Sequence, residues 1–117
     1  MIADKSYRFA VRIVRLCQYL RGSKNEFIIS KQLERSGTSI RANISEGKQG
    51  QSRADFINKF AVALKETTET KYWLSLLHDT DYLNDREYLS IQNDCIEIEK
   101  ILTCILKTAK ANDKQNN

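Results

Sequence analysis

The sequence predicts an all-α fold, an antiparallel up-down-up-down four-helix bundle that assembles as a homo-oligomer. Three observations predict the bundle. The 117 residues contain no proline, so no long helix is broken on that account. Apolar residues recur at three- and four-residue spacing in four separate segments, and no strand candidate competes with them. The connections between segments are short, which makes consecutive helices antiparallel neighbours. One domain is expected over residues 1–112, with helices at about 4–21, 31–48, 53–79 and 85–111 and a disordered tail at 113–117.

In the first segment Phe9, Ile13, Leu16, Cys17 and Leu20 form an apolar stripe, and Gly22 is the expected stop. The second opens after Ser30, an expected N-cap, and places Leu33, Gly37, Ile40 and Ile44 on one face. The third begins at "SRAD", where Ser52 and Asp55 have capping-box spacing. Phe56, Phe60, Ala63, Thr67, Leu74 and Leu77 follow at helical spacing. In the fourth, Asn84 and Glu87 repeat the capping box, and Tyr88, Ile91, Cys95, Ile98, Leu102, Ile105 and Ala109 make a heptad seam.

The second segment carries unusually many weak helix formers. Gly in a helix costs about 1 kcal/mol relative to Ala, so a close approach by another helix must offset it. Ser36, Gly37, Asn43 and Gly47 are therefore expected at an oligomer interface. In the third segment Val62, Glu66, Glu69 and Trp73 lie together off the core stripe, and an indole and a valine beside two carboxylates suggest the other half of that interface. Arg35 or Asn43 is expected to meet Glu66 or Glu69 across a helix pair.

"KQLERSGTSIRANISEG" (Lys31–Gly47), "DFINKFAVALKETTETKYWLSLL" (Asp55–Leu77) and the opening "YRFAVRIVRLCQYL" resemble the bacterial four-helix-bundle proteins, also called rRNA-intervening-sequence proteins. Relatives of that family include the accessory variability protein of diversity-generating retroelements. The resemblance covers nearly the whole chain except the tail. It implies a bundle that assembles as a pentamer, and no enzymatic activity. Through the retroelement relative it implies nucleic acid and a reverse transcriptase as partners. Ser36, Gly37, Asn43, Glu46, Gly47, Glu66, Glu69, Tyr72 and Trp73 match as motif positions.

Charge points the same way. Residues 1–65 hold 13 Lys and Arg against 5 Asp and Glu, whereas residues 66–117 hold 6 against 10, so a basic half stands beside an acidic one. Lys5, Arg8, Arg12 and Arg15 fall within an arc of about 80° on the first helix, with Tyr19 inside it. Basic groups around an aromatic suit phosphate contacts with base stacking. Lys31, Arg35, Arg41 and Lys48 extend the candidate surface onto the second helix. The expected partners are RNA or DNA, bound by backbone rather than sequence, and further copies of the chain. A protein-interaction ring that touches no nucleic acid is the alternative.

Other classes find little support. His78 is the only histidine, which rules out the two Glu-x-x-His motifs of a di-iron bundle. At a helix end it is expected to face the terminal carbonyls. Glu66 and Glu69 alone make a weak metal site, Cys17 has no base partner, and "SEGKQGQS" lacks a phosphate-loop Lys-Ser or Lys-Thr. No catalytic residue, metal or cofactor is therefore expected. Cys17, Cys95 and Cys104 have no metal-ligand spacing, and each is expected as a buried free thiol in the cytoplasm. No apolar run approaches the roughly 20 residues that a membrane span needs.

Overall fold

The computed structural model describes residues 1–115 and is all-α: α1 (Ile2–Lys24), α2 (Ile28–Lys48), α3 (Arg53–Asp79) and α4 (Asp85–Gln115). Each helix packs on the next, and α1 closes against α4, giving a body of 53 × 22 × 21 Å. Pairings across the seams fix the register. Ala3 meets Arg41 while Arg21 meets Glu34; Glu46 meets Lys59 while Ser36 meets Thr70; His78 meets Asp85 while Lys71 meets Glu99.

The core is the predicted set of stripes. Phe9, Ile13, Cys17 and Leu20 from α1 meet Leu33, Ile40 and Ile44 from α2, Phe60, Ala63, Leu74 and Leu77 from α3, and Ile91, Cys95, Ile98 and Leu102 from α4. Burying a large aliphatic side chain stabilises by about 1.5–3 kcal/mol, so this interior is what holds helices of such different intrinsic propensity together. Two polar groups enter it from facing helices and satisfy each other: the Ser36 and Thr70 hydroxyls lie 2.9 Å apart.

Helix ends differ from expectation at two places. Helix α1 does not stop at Gly22 but runs on to Lys24, and Asn25 ends it in the left-handed conformation at φ 53°. Asn tolerates that region because its short amide can hydrogen-bond locally. Helix α2 starts at Ile28, ahead of Ser30; its N-cap residue Phe27 has no side-chain acceptor, and Glu26, one position earlier, caps it instead. Its buried carboxylate accepts the Ile28, Ile29 and Ser30 N–H groups at 3.1, 2.9 and 2.7 Å. The other two starts are as read: Ser52 Oγ accepts the Asp55 N–H at 3.1 Å, and Asn84 and Glu87 cap each other at 3.0 and 2.8 Å. Helix α4 continues to Gln115, into the segment expected as a tail, and residues 116–117 lie outside the described part.

The glycines of α2 find their close neighbours inside the chain. A Cβ on Gly37 would stand 2.8 Å from Ile13 Cγ2, and one on Gly47 would stand 2.7 Å from Phe60 Cδ1. Gly37 therefore lets α1 approach α2, and Gly47 lets α3 approach it. Among the described residues, no helix is long and apolar enough to cross a membrane.

Candidate nucleic-acid interface

The cations among the nine basic-surface candidates separate into two groups. Four have work inside the fold. Lys5 pairs with Glu97, and Arg12 donates to Asp94 at 2.7 Å and to the Ser90 hydroxyl at 3.0 Å, which ties α1 to α4. Arg35 donates to Glu66 at 3.0 Å and also pairs with Glu69, and Arg41 Nε donates to the Ala3 carbonyl at 3.1 Å. Tyr19, 41% exposed, sits one turn beyond Arg15. Its ring is open to solvent, and it belongs to neither group of cations.

Arg8, Arg15, Lys31 and Lys48 form the second group. All are exposed, and none has an ion pair among the described residues. Lys31 and Lys48 stand 17 positions apart on α2, or about 25 Å at 1.5 Å per residue, so they make no common site. Arg8 and Arg15 share one flank of α1, beside α4.

Helix α4 adds two cations that the sequence reading missed. Arg15 and Arg86 line one groove of about 450 Å³ together with Arg12, Leu16, Leu83, Glu87, Ser90 and Ile91. Arg8 and Lys100 line a second, of about 580 Å³, with Met1, Asp4, Lys5, Glu97 and Ile101. Arg86 and Lys100 belong to the acidic half of the chain, which hid them. Only the α1–α4 packing brings them beside the basic helix.

The expected oligomer surface is redistributed. Ser36, Gly37 and Gly47 are buried within the single chain and cannot line a contact between copies. Arg35 meets Glu66 and Glu69 across a helix pair as expected, and the pair is α2 and α3 of one subunit. Asn43 donates to the Ser39 carbonyl of its own helix at 2.8 Å. Trp73 is half-buried against the core, its Nε1 donating to Glu69 at 2.9 Å, and Val62 is also half-buried. Tyr72 packs edge-on to Trp73 and is 57% exposed. One oxygen of each carboxylate is engaged, Glu66 Oε2 by Arg35 and Glu69 Oε2 by Arg35 and Trp73.

His78 does not face helix carbonyls. Its ring stacks on Tyr88 with centroids 4.2 Å apart, Nε2 lies 2.6 Å from Asp85 and Nδ1 lies 3.3 Å from Asp79. Only the imidazolium can donate to both carboxylates. The hydrogen bond with Asp85, then the charges of Asp85 and Asp79, raise its pKa above 6.5. A raised value means that this corner contributes fully below the unfolded pKa and loses its contribution as pH rises through the folded one. Thermal melts should therefore fall across neutral pH, and His78→Ala should flatten that dependence; an unchanged slope would show that the corner is not a titrating contact.

Cysteine behaviour splits. Burial, assisted by Glu34 near Cys17 and Glu99 near Cys95, pushes both thiols up to about 12. Both are protonated and inert at neutral pH. Cys104 is exposed instead, because it falls on the outer side of α4, off the heptad seam.

Comparison with known proteins matches residues 1–104 to the family described as 23S rRNA-intervening sequence protein. The chain belongs to that family. A solved structure from the same circle is a protein of unknown function from the S23 ribosomal protein family of Bacteroides thetaiotaomicron VPI-5482. It is 56% identical, with a TM-score of 0.91 over 92% of this chain and 99% of that one. Comparison with curated proteins found no match. Family membership agrees with the resemblance carried by the Lys31–Gly47 and Asp55–Leu77 motifs.

Proposed function

We propose that this 23S rRNA-intervening sequence family protein is a non-enzymatic accessory protein. In this reading it is an antiparallel up-down-up-down bundle, works as a cytoplasmic homo-oligomer and binds RNA or DNA through its phosphates. The observation that carries the nucleic-acid reading is the set of exposed arginines, Arg8 and Arg15, that no carboxylate of the described chain neutralises. A polyanion would supply the missing partner, and the basic balance of residues 1–65 would steer it there. The crossed pairings along every seam support the antiparallel arrangement. Exposed Tyr72 beside half-buried Trp73, with Val62 on the same helix, supports a contact between copies. A pentamer rests on the family resemblance, and so does a reverse transcriptase as protein partner. Symmetry would repeat the arginines around the assembly, so contacts that are weak singly would add through multivalency.

A salt series with fluorescent RNA and DNA tests this. Affinity should fall linearly in log–log form, with a slope of about −0.7 per single-strand phosphate engaged. Binding that is absent or indifferent to salt would leave the protein-interaction ring as the better reading. Sedimentation of the native protein and of Tyr72→Ala reports the assembly, which the substitution should weaken.

A further inference from the structure

The unpaired cations beside α1 are not scattered. They fall in two cross-helix pairs along the α1–α4 seam: Arg15 with Arg86 in one groove, and Arg8 with Lys100 in the other. Along the same seam the Arg12–Asp94 and Lys5–Glu97 bridges tie the two helices together, with Arg12 in the first groove and Lys5 and Glu97 in the second. Arg8 and Arg15 are seven residues apart on one helix, about 10 Å by helical rise, so the two pairs serve separate phosphates rather than one.

Acidic groups are also present. Glu87 stands in the first groove, with Oε1 occupied by the Asn84 N–H, and Asp4 and Glu97 stand in the second, where Glu97 is taken by Lys5. Cations remain in excess at both. The floor of the first groove is apolar, made by Leu16, Leu83 and Ile91, and exposed Tyr19 follows Arg15 by one turn on the same flank. An apolar floor and an open phenol ring accept the face of a base. Bases in a duplex are stacked and paired, so only a single strand can offer one.

We propose that the α1–α4 seam is a track for single-stranded nucleic acid, in which Arg15 and Arg86 hold one phosphate, Arg8 and Lys100 hold another, and a base rests on Leu16, Leu83 and Ile91. This rests on the nucleic-acid reading above and narrows it to unpaired strands at one face.

The test uses the native protein and a fluorescent single-stranded RNA of about 20 nucleotides, with the matching duplex alongside. Arg15→Glu with Arg86→Glu, and separately Arg8→Glu with Lys100→Glu, should each weaken single-strand binding at least tenfold. The uncharged pair Arg15→Gln with Arg86→Gln should make the salt slope shallower by about 0.7, the loss of the one phosphate they share. It also keeps the test alive if the glutamate pair fails to fold. The control is Lys24→Glu with Lys65→Glu, the same change in charge on exposed side chains that line neither groove, and it should cost far less. Native binding that the seam variants leave no weaker than the control overturns the track and spares the broader reading. Equal or tighter binding of the duplex also overturns the track. No binding by the native protein overturns both.

Discussion

Gly37→Val and Gly47→Val will each destabilise the bundle by about 3 kcal/mol, the upper end of what forcing extra carbons into a filled core costs. Helix propensity argues the other way, since almost any side chain is a better helix former than glycine by a few tenths of a kcal/mol or more. Packing wins because the space is taken. The Cβ alone would stand 2.8 and 2.9 Å from two Ile13 carbons at position 37, and 2.7 and 2.8 Å from two Phe60 ring carbons at position 47. Ile13 cannot swing aside cheaply, because a β-branched side chain in a helix has one strongly preferred rotamer. Phe60 is held between the core and Phe56, its ring stacked at 4.2 Å.

The chain's own packing can be separated from packing between copies. Combining Gly37→Val with Ile13→Ala should cost less than the sum of the two single changes, because one deletes what the other collides with. Urea denaturation of the four variants closes that cycle. Strict additivity would mean that the glycine faces something other than Ile13, and a midpoint shift that vanishes on dilution would return it to a contact between copies.

How far the sequence could be read follows from what each signal depends on. Periodicity depends only on a helix's own geometry, so the stripes of all four helices were legible, including the heptad seam of α4 from Ile91 to Leu102. Capping chemistry is equally local, and Asn84 with Glu87 behaves as its spacing implies. Small residues are different. Their spacing says that something comes close, but not whether it belongs to the same chain, which is why Gly37 and Gly47 pointed to an oligomer and are found facing Ile13 and Phe60. Charge suffers likewise. The arc holding Lys5, Arg8, Arg12 and Arg15 is real on a helical wheel, yet Asp94 and Glu97, some 80 to 90 positions away, neutralise half of it. The same long-range packing supplies Arg86 and Lys100. Net charge by segment could show neither effect, since both are set by which helix lies beside which.

Glu26→Ala should cost about 2 kcal/mol, the high end for loss of a helix cap, because three backbone N–H groups lose a charged acceptor at once. The start of α2 has little else to hold it. Phe27 and Ile28 beside the cap are 58% and 81% exposed, so Ile29, partly buried against the core, is the one apolar anchor in that turn. The carboxylate also sits at the positive end of the helix dipole, where a negative charge is favoured. Glu26→Gln keeps the size and one acceptor oxygen but turns an NH2 toward N–H groups that need an acceptor, so it should lose roughly half as much. Glu34→Gln gives the contrast. It breaks the ion pair with Arg21, whose side chains are 31% and 37% exposed, and pairs of that kind are worth about 1 kcal/mol at most. Urea midpoints rank the three variants, and amide exchange at Ile28, Ile29 and Ser30 reports the cap itself. Exchange there should quicken in Glu26→Ala and stay unchanged in Glu34→Gln. If those amides remain protected without the carboxylate, the packing of Ser30 and Leu33 against α1 holds the turn by itself, and Glu26 is buried there without stabilising it.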